Sequence, residues 1–358
     1  MKVSILGSGN GGMAVAFEWA KAGHDVFMFD FEEYGKNICD INKHGGIHSE
    51  GELDGFQRIS YAGHDIEYVI KGAELVFIVG PAYSTESFGK ACRNYVEKGQ
   101  IFVVCPSSCM GALVFKNAIG YDIKDESVVI ADTSTLPYAV RVVGEAKIAV
   151  YNRLKGDYFI SALPSTLNDK VYETVGKVYK EMIIAKNILK TALQNANPVI
   201  HPSITLLNAG IIERKVPFLL YEEGVTEAVG RTMKALDLER IEIGKTLGVQ
   251  IIPDPELGVG QGYMLEANYT TGYSNAPGFK GIAGPDTTDY RYINEDAGYG
   301  LVFFMDLAKH IGVKTPTMEA VVQMASVIRG VDFVGEGLRT MESLGISEYS
   351  IDELKSLL

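Results

Sequence analysis

The sequence predicts an α/β first half, with a mostly parallel sheet and helices on both faces, followed by an all-α second half. Three observations carry this. Short apolar runs alternate with helix-like stretches up to residue 187. From residue 188 onward, long helical periods take over. Between the first apolar run and the first helix-like stretch stands a glycine-rich turn, Gly7-Ser8-Gly9-Asn10-Gly11-Gly12.

The elements follow in order. Val3–Leu6 reads as the first strand, Met13–Ala22 as a helix, and Val26–Phe29 as a second strand ending at Asp30. Strand, glycine turn, helix and strand, with an acid 18 residues past the last glycine, form the dinucleotide fingerprint of a Rossmann domain. Gly7 permits the tight turn, Gly9 lets the backbone approach a pyrophosphate, and Gly12 lets helix and strand pack closely. The helix start offers amide N–H groups and a partial positive charge to the phosphates, which makes Ser8, Asn10 and Gly11 further cofactor candidates. Asp30 is expected to accept from the ribose hydroxyls and to repel a 2′-phosphate, so NAD is favoured over NADP.

Leu75–Val79, Ile101–Cys105 and Val128–Ala131 continue the strands, with a helix expected over Thr85–Glu97. Pro81 and Pro106 follow strands closely; each is either a strand stop or a wall of the nicotinamide pocket. Lys147–Arg153 and Tyr158–Leu163 are expected to close the first domain, with a helix over Asp169–Lys180 behind them. The domain boundary is placed between residues 187 and 188. In the second domain, helices are expected over Ile204–Arg214, Thr226–Leu247, Leu301–Ile311 and Thr317–Ile328. Between Leu257 and Tyr292 the chain is rich in Gly, Tyr and Thr, which predicts a long loop, functional or mobile, whose tyrosines line a cleft or pack the loop.

Composition bounds the function. Net charge is −12 without a basic run, which argues against nucleic acid and anionic membranes as partners. No apolar stretch has the length of a membrane helix, about 20 residues. With Lys2 opening the first strand and no leader before it, a cytoplasmic location is expected. Cys39, Cys92, Cys105 and Cys109 form no Cys-x-x-Cys pair, so reduced thiols are expected. His44 and His48 have the spacing of a metal pair, but Gly45 and Gly46 between them argue for a turn, and no metal is expected.

A bound nicotinamide points to hydride transfer, which needs an oriented proton donor and a cation for an acidic substrate. The second half holds suitable types. His201 stands between Pro198 and Pro202, with Asn195 and Asn197 upstream, and a helix is expected to begin near Pro202. Arg291 can grip a carboxylate bidentately, and Asp296 can accept from an imidazole nitrogen. Five positions separate them, about 140° around a regular helix, so a turn or helix start would align them better. Taken alone, His201 also reads as a helix cap, and Arg291 and Asp296 as ordinary charges near a helix start.

Over nearly its whole length the sequence resembles the opine dehydrogenase family, which includes the octopine and nopaline dehydrogenases. The resemblance rests on the glycine fingerprint, on Asn197-Pro198 and His201-Pro202, and on Arg291, Glu295-Asp296 and Tyr299-Gly300-Leu301. It rests also on Thr135–Arg141, Gly312–Pro316 and Gly337–Gly345. It implies a Rossmann domain joined to an all-α domain, with the active site in the cleft. It further implies that an α-keto acid condenses with the amino group of an amino acid and that NADH or NADPH reduces the imine. By the same resemblance His201 is the catalytic acid/base, Asp296 its partner and Arg291 the substrate-binding arginine. Asn197 and Thr135 are further substrate contacts. Ala297-Gly298 stands where the family often has bulkier residues, which implies a wider pocket or a looser loop. A homodimer is a candidate assembly.

Two other readings compete. A hydroxy-acid-type reductase, of ketopantoate or glycerol-3-phosphate type, would rely on a lysine, with Lys186 and Lys190 as candidates. A nucleotide-binding sensor would bind NAD without turnover.

Overall fold

The computed structural model describes residues 1–358, apart from the side chain of Leu357. The chain divides into two compact units, Met1–Thr191 with Leu357–Leu358, and Ala192–Ser356.

The first unit contains strands β1 (Lys2–Leu6), β2 (Asp25–Phe29), β3 (Gly46–Gly51), β4 (Gly55–Arg58), β5 (Tyr61–Gly63) and β6 (Leu75–Ile78). They are followed by β7 (Ile101–Val104), β8 (Val129–Thr133), β9 (Tyr138–Gly144), β10 (Lys147–Arg153), β11 (Phe159–Leu163) and β12 (Ile183–Ile184). The main sheet has the order β12-β11-β8-β7-β6-β1-β2-β5. It is parallel from β8 to β5, while β11 runs antiparallel to β8. β6, β7 and β8 are buried along their whole length, as expected of strands covered on both faces, and this is why they read as unbroken apolar runs.

A second sheet, β4-β3-β10-β9, departs from the expected layout. β10, one of the strands expected to close the first domain, lies in this second sheet, parallel to β3 and antiparallel to β9. β3 and β4 have no clear alternation (GIHSEG and GFQR) and carry three glycines between them, so their pattern is weak. His44 ends the helix Lys36–His44, Gly45 takes a left-handed conformation, and His48 lies on β3. Some helices are shorter than expected. The helix from Thr85 stops at Cys92, and the one from Asn168 stops at Val175, ahead of Gly176.

The second unit is helical. Its long helix, Glu227–Thr246, starts at Thr226, whose hydroxyl caps the Val229 amide at 3.5 Å. The expected helix Ile204–Arg214 is split at Asn208, whose side chain bonds the carbonyls of Ile204 and Gly224. Helix Asn197–Leu207 packs against Glu227–Thr246, Pro316–Arg329 and the segment Arg291–Leu301. Buried Arg240 ties this core together, donating to Asp237 and to the carbonyls of Leu193 and Ile252. The long loop expected from Leu257 is mostly irregular from Gln261 to Tyr290, with a few short turns set into it. It contains the end of helix Asp254–Gly260, the turn Thr271–Ser274, a 3-10 turn Pro277–Phe279 and a stack of aromatic rings. Among the described residues, no helix is long and apolar enough to cross a membrane.

Candidate active site

In the first unit, β1 leads into the glycine turn and the helix Asn10–Lys21. Gly7 sits at φ +108°, and a Cβ on Gly12 would stand 1.9 Å from the Gly7 carbonyl oxygen. A side chain at Gly12 would force the helix off the strand, and one at Gly7 would meet the Val79 carbonyl oxygen at 2.1 Å. A Cβ on Gly9 would meet nothing within 4 Å, so the backbone is open on that side. The first-turn amides of the helix lack carbonyl partners within it. Together these features fit the phosphates of a dinucleotide.

Ser8 and Asn10 serve that turn from within. Ser8 donates its amide (2.7 Å) and its hydroxyl (2.6 Å) to Asp30 Oδ2. The Asn10 side-chain carbonyl accepts from the Val142 amide at 2.7 Å, tying the helix start to β9. Asp30 thus braces the glycine turn from the end of β2, a role that sequence reading did not foresee. Its Oδ1 accepts from Phe31 N at 2.9 Å, and a carboxylate oxygen can accept a second bond. Pro81 and Pro106 lie just past the carboxyl ends of β6 and β7. Thr135 lies between β8 and β9, where Thr133 Oγ1 donates to its carbonyl at 3.0 Å.

In the second unit, the helix carrying His201 begins earlier than expected. It starts at Asn197 with Pro198 in the first turn, and Pro202 lies inside it. Pro198 is already shaped for a helix start, and packing on several sides holds the helix through the amide missing at Pro202. His201 therefore sits one turn into the helix, four residues after Asn197 and on the same face.

Arg291–Asn294 forms a helical turn that runs into a π-helical segment, Asp296–Leu301, and then into helix Val302–His310. The wide turn is visible where the Gly300 amide reaches back five residues to the Glu295 carbonyl at 3.1 Å. A Cβ on Gly300 would stand 2.5 Å from Pro198 Cγ. The glycine thus lets the His201 helix close onto the π segment, where Asp296 is carried. At Gly298, read as widening the pocket or loosening the loop, a Cβ would stand 2.9 Å from the Phe333 ring, which fills that side. Arg329 holds the approach to Arg291, bonding Asp289 at 2.5 Å and Asn294 at 3.0 Å.

His201 Nδ1 lies 2.8 Å from Asp296 Oδ2, and both side chains are buried. The carboxylate accepts the Nδ1 proton, which leaves Nε2 as the nitrogen facing away from Asp296. Nε2 lies 3.2 Å from the Tyr221 hydroxyl, and the Tyr292 ring lies over the imidazole with centroids 4.1 Å apart. Arg291 is about half exposed, at 47%, and its Nε is 3.4 Å from Glu295 Oε2. Burial works against its charge, yet Glu295 and then Asp296 hold its pKa above the ordinary value. A guanidinium has five donors, so this pairing leaves capacity for a substrate carboxylate.

Tyr292 was within reach of the sequence reading, since it adjoins Arg291. Tyr221 was not: Pro217-Phe218-Leu219-Leu220-Tyr221 reads as plain apolar sequence. Lys190 lies in the first unit, buried, with Nζ 4.3 Å from the centre of the Phe159 ring, and Lys186 is exposed. Among the described residues, no three His, Cys, Asp or Glu are grouped to hold a metal. His44 pairs with Glu145, and His48 rests on Phe56.

Comparison with known proteins adds the lineage. The family model described as NAD/NADP octopine/nopaline dehydrogenase, alpha-helical domain, matches residues 184–329. The one described as NAD-dependent glycerol-3-phosphate dehydrogenase N-terminus matches residues 2–108. An opine dehydrogenase of Arthrobacter sp. (strain 1C) is 32% identical, over 99% of this chain and 97% of the relative. The octopine dehydrogenase of Pecten maximus is 22% identical, over 100% and 98%. A solved octopine dehydrogenase with NADH and L-arginine has the same fold, with a TM-score of 0.80 at 18% identity over 99% and 98% of the two chains. Full-length similarity at this level, together with the fingerprint of one unit and the His–Asp pair of the other, identifies the chain: it belongs to the opine dehydrogenase family of nicotinamide-dependent oxidoreductases.

Proposed function

We propose that this enzyme joins an α-keto acid to the amino group of an amino acid and reduces the resulting imine to a secondary amine dicarboxylate. The buried His201–Asp296 pair, at 2.8 Å, is the observation that carries this reading. Condensation and reduction both need a proton placed and removed at defined atoms, and a histidine oriented by a carboxylate is built for this.

The residues divide the work. Asp296 accepts from Nδ1, sets the tautomer, and stabilises the imidazolium when Nε2 also carries a proton. His201 supplies protons to the condensing centre through Nε2 and takes them back. Arg291 binds the keto-acid carboxylate, fixing which face of the carbonyl meets the amine. Asn197, one turn before His201, and Thr135 complete the substrate contacts.

Gly7, Gly9, Gly11 and Gly12 would receive the pyrophosphate of the cofactor. Ser8 and Asn10 hold the turn in shape, and Asp30 takes a ribose hydroxyl on Oδ1. A carboxylate at this position repels a 2′-phosphate, so NAD is the preferred cofactor and NADP the weaker one. When bound, the nicotinamide supplies the hydride. We place the protein in the cytoplasm.

The test is a screen of NADH oxidation with pyruvate and other keto acids, each with and without single amino acids. The proposal expects oxidation that requires both. Oxidation that proceeds with the keto acid alone would instead identify a hydroxy-acid reductase. Tight NAD binding without turnover across the panel would identify a sensor.

A further inference from the structure

We propose that Tyr221 is a second catalytic residue, the hydroxyl through which His201 passes its proton to the substrate. The inference rests on the function proposed above and assigns a step within it.

Both ring nitrogens of His201 are engaged. Nδ1 meets Asp296 at 2.8 Å, and Nε2 meets the Tyr221 hydroxyl at 3.2 Å. Tyr292 lies over the ring face. His201 and Tyr221 are each only about 6% exposed. A proton leaving this ring away from Asp296 must therefore cross Tyr221, or Tyr221 must move aside.

Tyr221 is held against moving. Its ring stacks on Phe279 at 4.3 Å and on Tyr273 at 5.9 Å, and Phe279 stacks in turn on Tyr263 at 4.7 Å. The backbone is pinned on both sides of the same short stretch: Leu220 N donates to the Ile282 carbonyl, and Gly284 N donates to the Phe218 carbonyl, both at 2.8 Å. The Tyr273 hydroxyl is itself anchored on buried Asp254 at 2.6 Å. The tyrosine-rich segment therefore has a specific task, which is to fix the phenol at Nε2.

Hydrogen-bond direction gives the relay its logic. A phenol has one proton. With neutral His201, that proton is donated to Nε2. With the imidazolium, Nε2–H donates to the phenol oxygen, and the phenol proton is freed to point at the substrate. The step that needs it is breakdown of the carbinolamine formed when the amine adds to the keto acid. The leaving hydroxyl takes the phenol proton, the C–O bond breaks as the nitrogen lone pair forms C=N, and water departs. The phenol oxygen takes the Nε2 proton, so Tyr221 ends neutral. His201 ends as neutral imidazole, and the positive charge resides on the iminium.

Tyr221→Phe keeps the ring stack and removes the relay. Wild type is first shown to oxidise NADH only with keto acid and amine together; failure there sinks the function and not this step alone. The variant is expected to lose roughly 10²-fold in kcat, the scale of a lost general acid, with NADH affinity unchanged. Rates in mixtures of H₂O and D₂O provide the second readout, and on the wild type they need no substitution. Two protons in flight bow the wild-type plot, and one leaves the variant's plot straight. A kcat within about twofold of wild type would overturn the proposal. So would a large loss with the wild-type plot already straight, which would make Tyr221 structural.

Discussion

Replacing Asp296 with Asn keeps the side-chain shape and removes the charge that faces His201 Nδ1 at 2.8 Å. The magnitude follows from the burial of the pair, whose side chains are 7% and 4% exposed. Two unit charges about 4 Å apart interact by about 4 kcal/mol at an effective dielectric near 20. An amide oxygen turned toward Nδ1 would still accept a neutral hydrogen bond of about 1 kcal/mol. The imidazolium therefore loses about 3 kcal/mol of support, or roughly 10²-fold in kcat. An amide nitrogen turned toward Nδ1 would impose the wrong tautomer and add to the loss. The assay is amine-dependent NADH oxidation at saturating keto acid and amine, with NADH binding followed separately by fluorescence. The Asp296→Asn variant should bind NADH as wild type does and turn over roughly 10²-fold more slowly. A kcat within about threefold of wild type would mean that Asp296 does not act through His201 in the reaction.

Three further outcomes follow from the same geometry. Arg291→Ala should raise the keto-acid KM far more than it lowers kcat, because a carboxylate contact made equally in ground and transition states changes binding alone; an unchanged KM would make Arg291 structural. Asp30→Asn should weaken discrimination against NADPH and, by loosening the brace on Ser8, also weaken NADH binding; a wild type that already prefers NADPH would refute the Asp30 argument. Asp254 is pushed up from an ordinary 3.8 to about 7 by burial and then by the Asp237 charge. Its folded form thus holds a proton that the unfolded chain has lost, and its contribution to stability falls as pH rises from about 4 to about 7. Denaturant unfolding should show that Asp254→Asn removes part of this decline, so that the variant gains on wild type as pH rises through that window; parallel pH dependences would place the decline elsewhere.

The first unit was legible because its chemistry is local. Gly7 to Gly12 and Asp30 announce a phosphate turn between two apolar strands, and β1, β2, β6, β7 and β8 are buried enough to read as continuous runs. The second sheet was not legible: β3 and β4 are short and weakly patterned, and only their pairing with each other, and of β3 with β10, makes them strands. In the second unit the residue types at His201, Arg291 and Asp296 were visible, but their meeting was not. It depends on a helix that tolerates Pro202, a π turn that no periodicity signals, and the absence of a side chain at Gly300. Tyr221 escaped because its position is set by distant rings, Phe279 and Tyr273, and not by its neighbours in sequence.

The central claim is that hydride ends on carbon joined to nitrogen. NADH carrying deuterium at both C4 positions, incubated with enzyme, a keto acid and the amino acid partner, tests this by mass spectrometry of the product. The expected product is a secondary amine dicarboxylate with the mass of the two substrates less water plus one deuterium and one proton, the deuterium on the former keto carbon. Deuterium in a free 2-hydroxy acid, with no joined product, would contradict it.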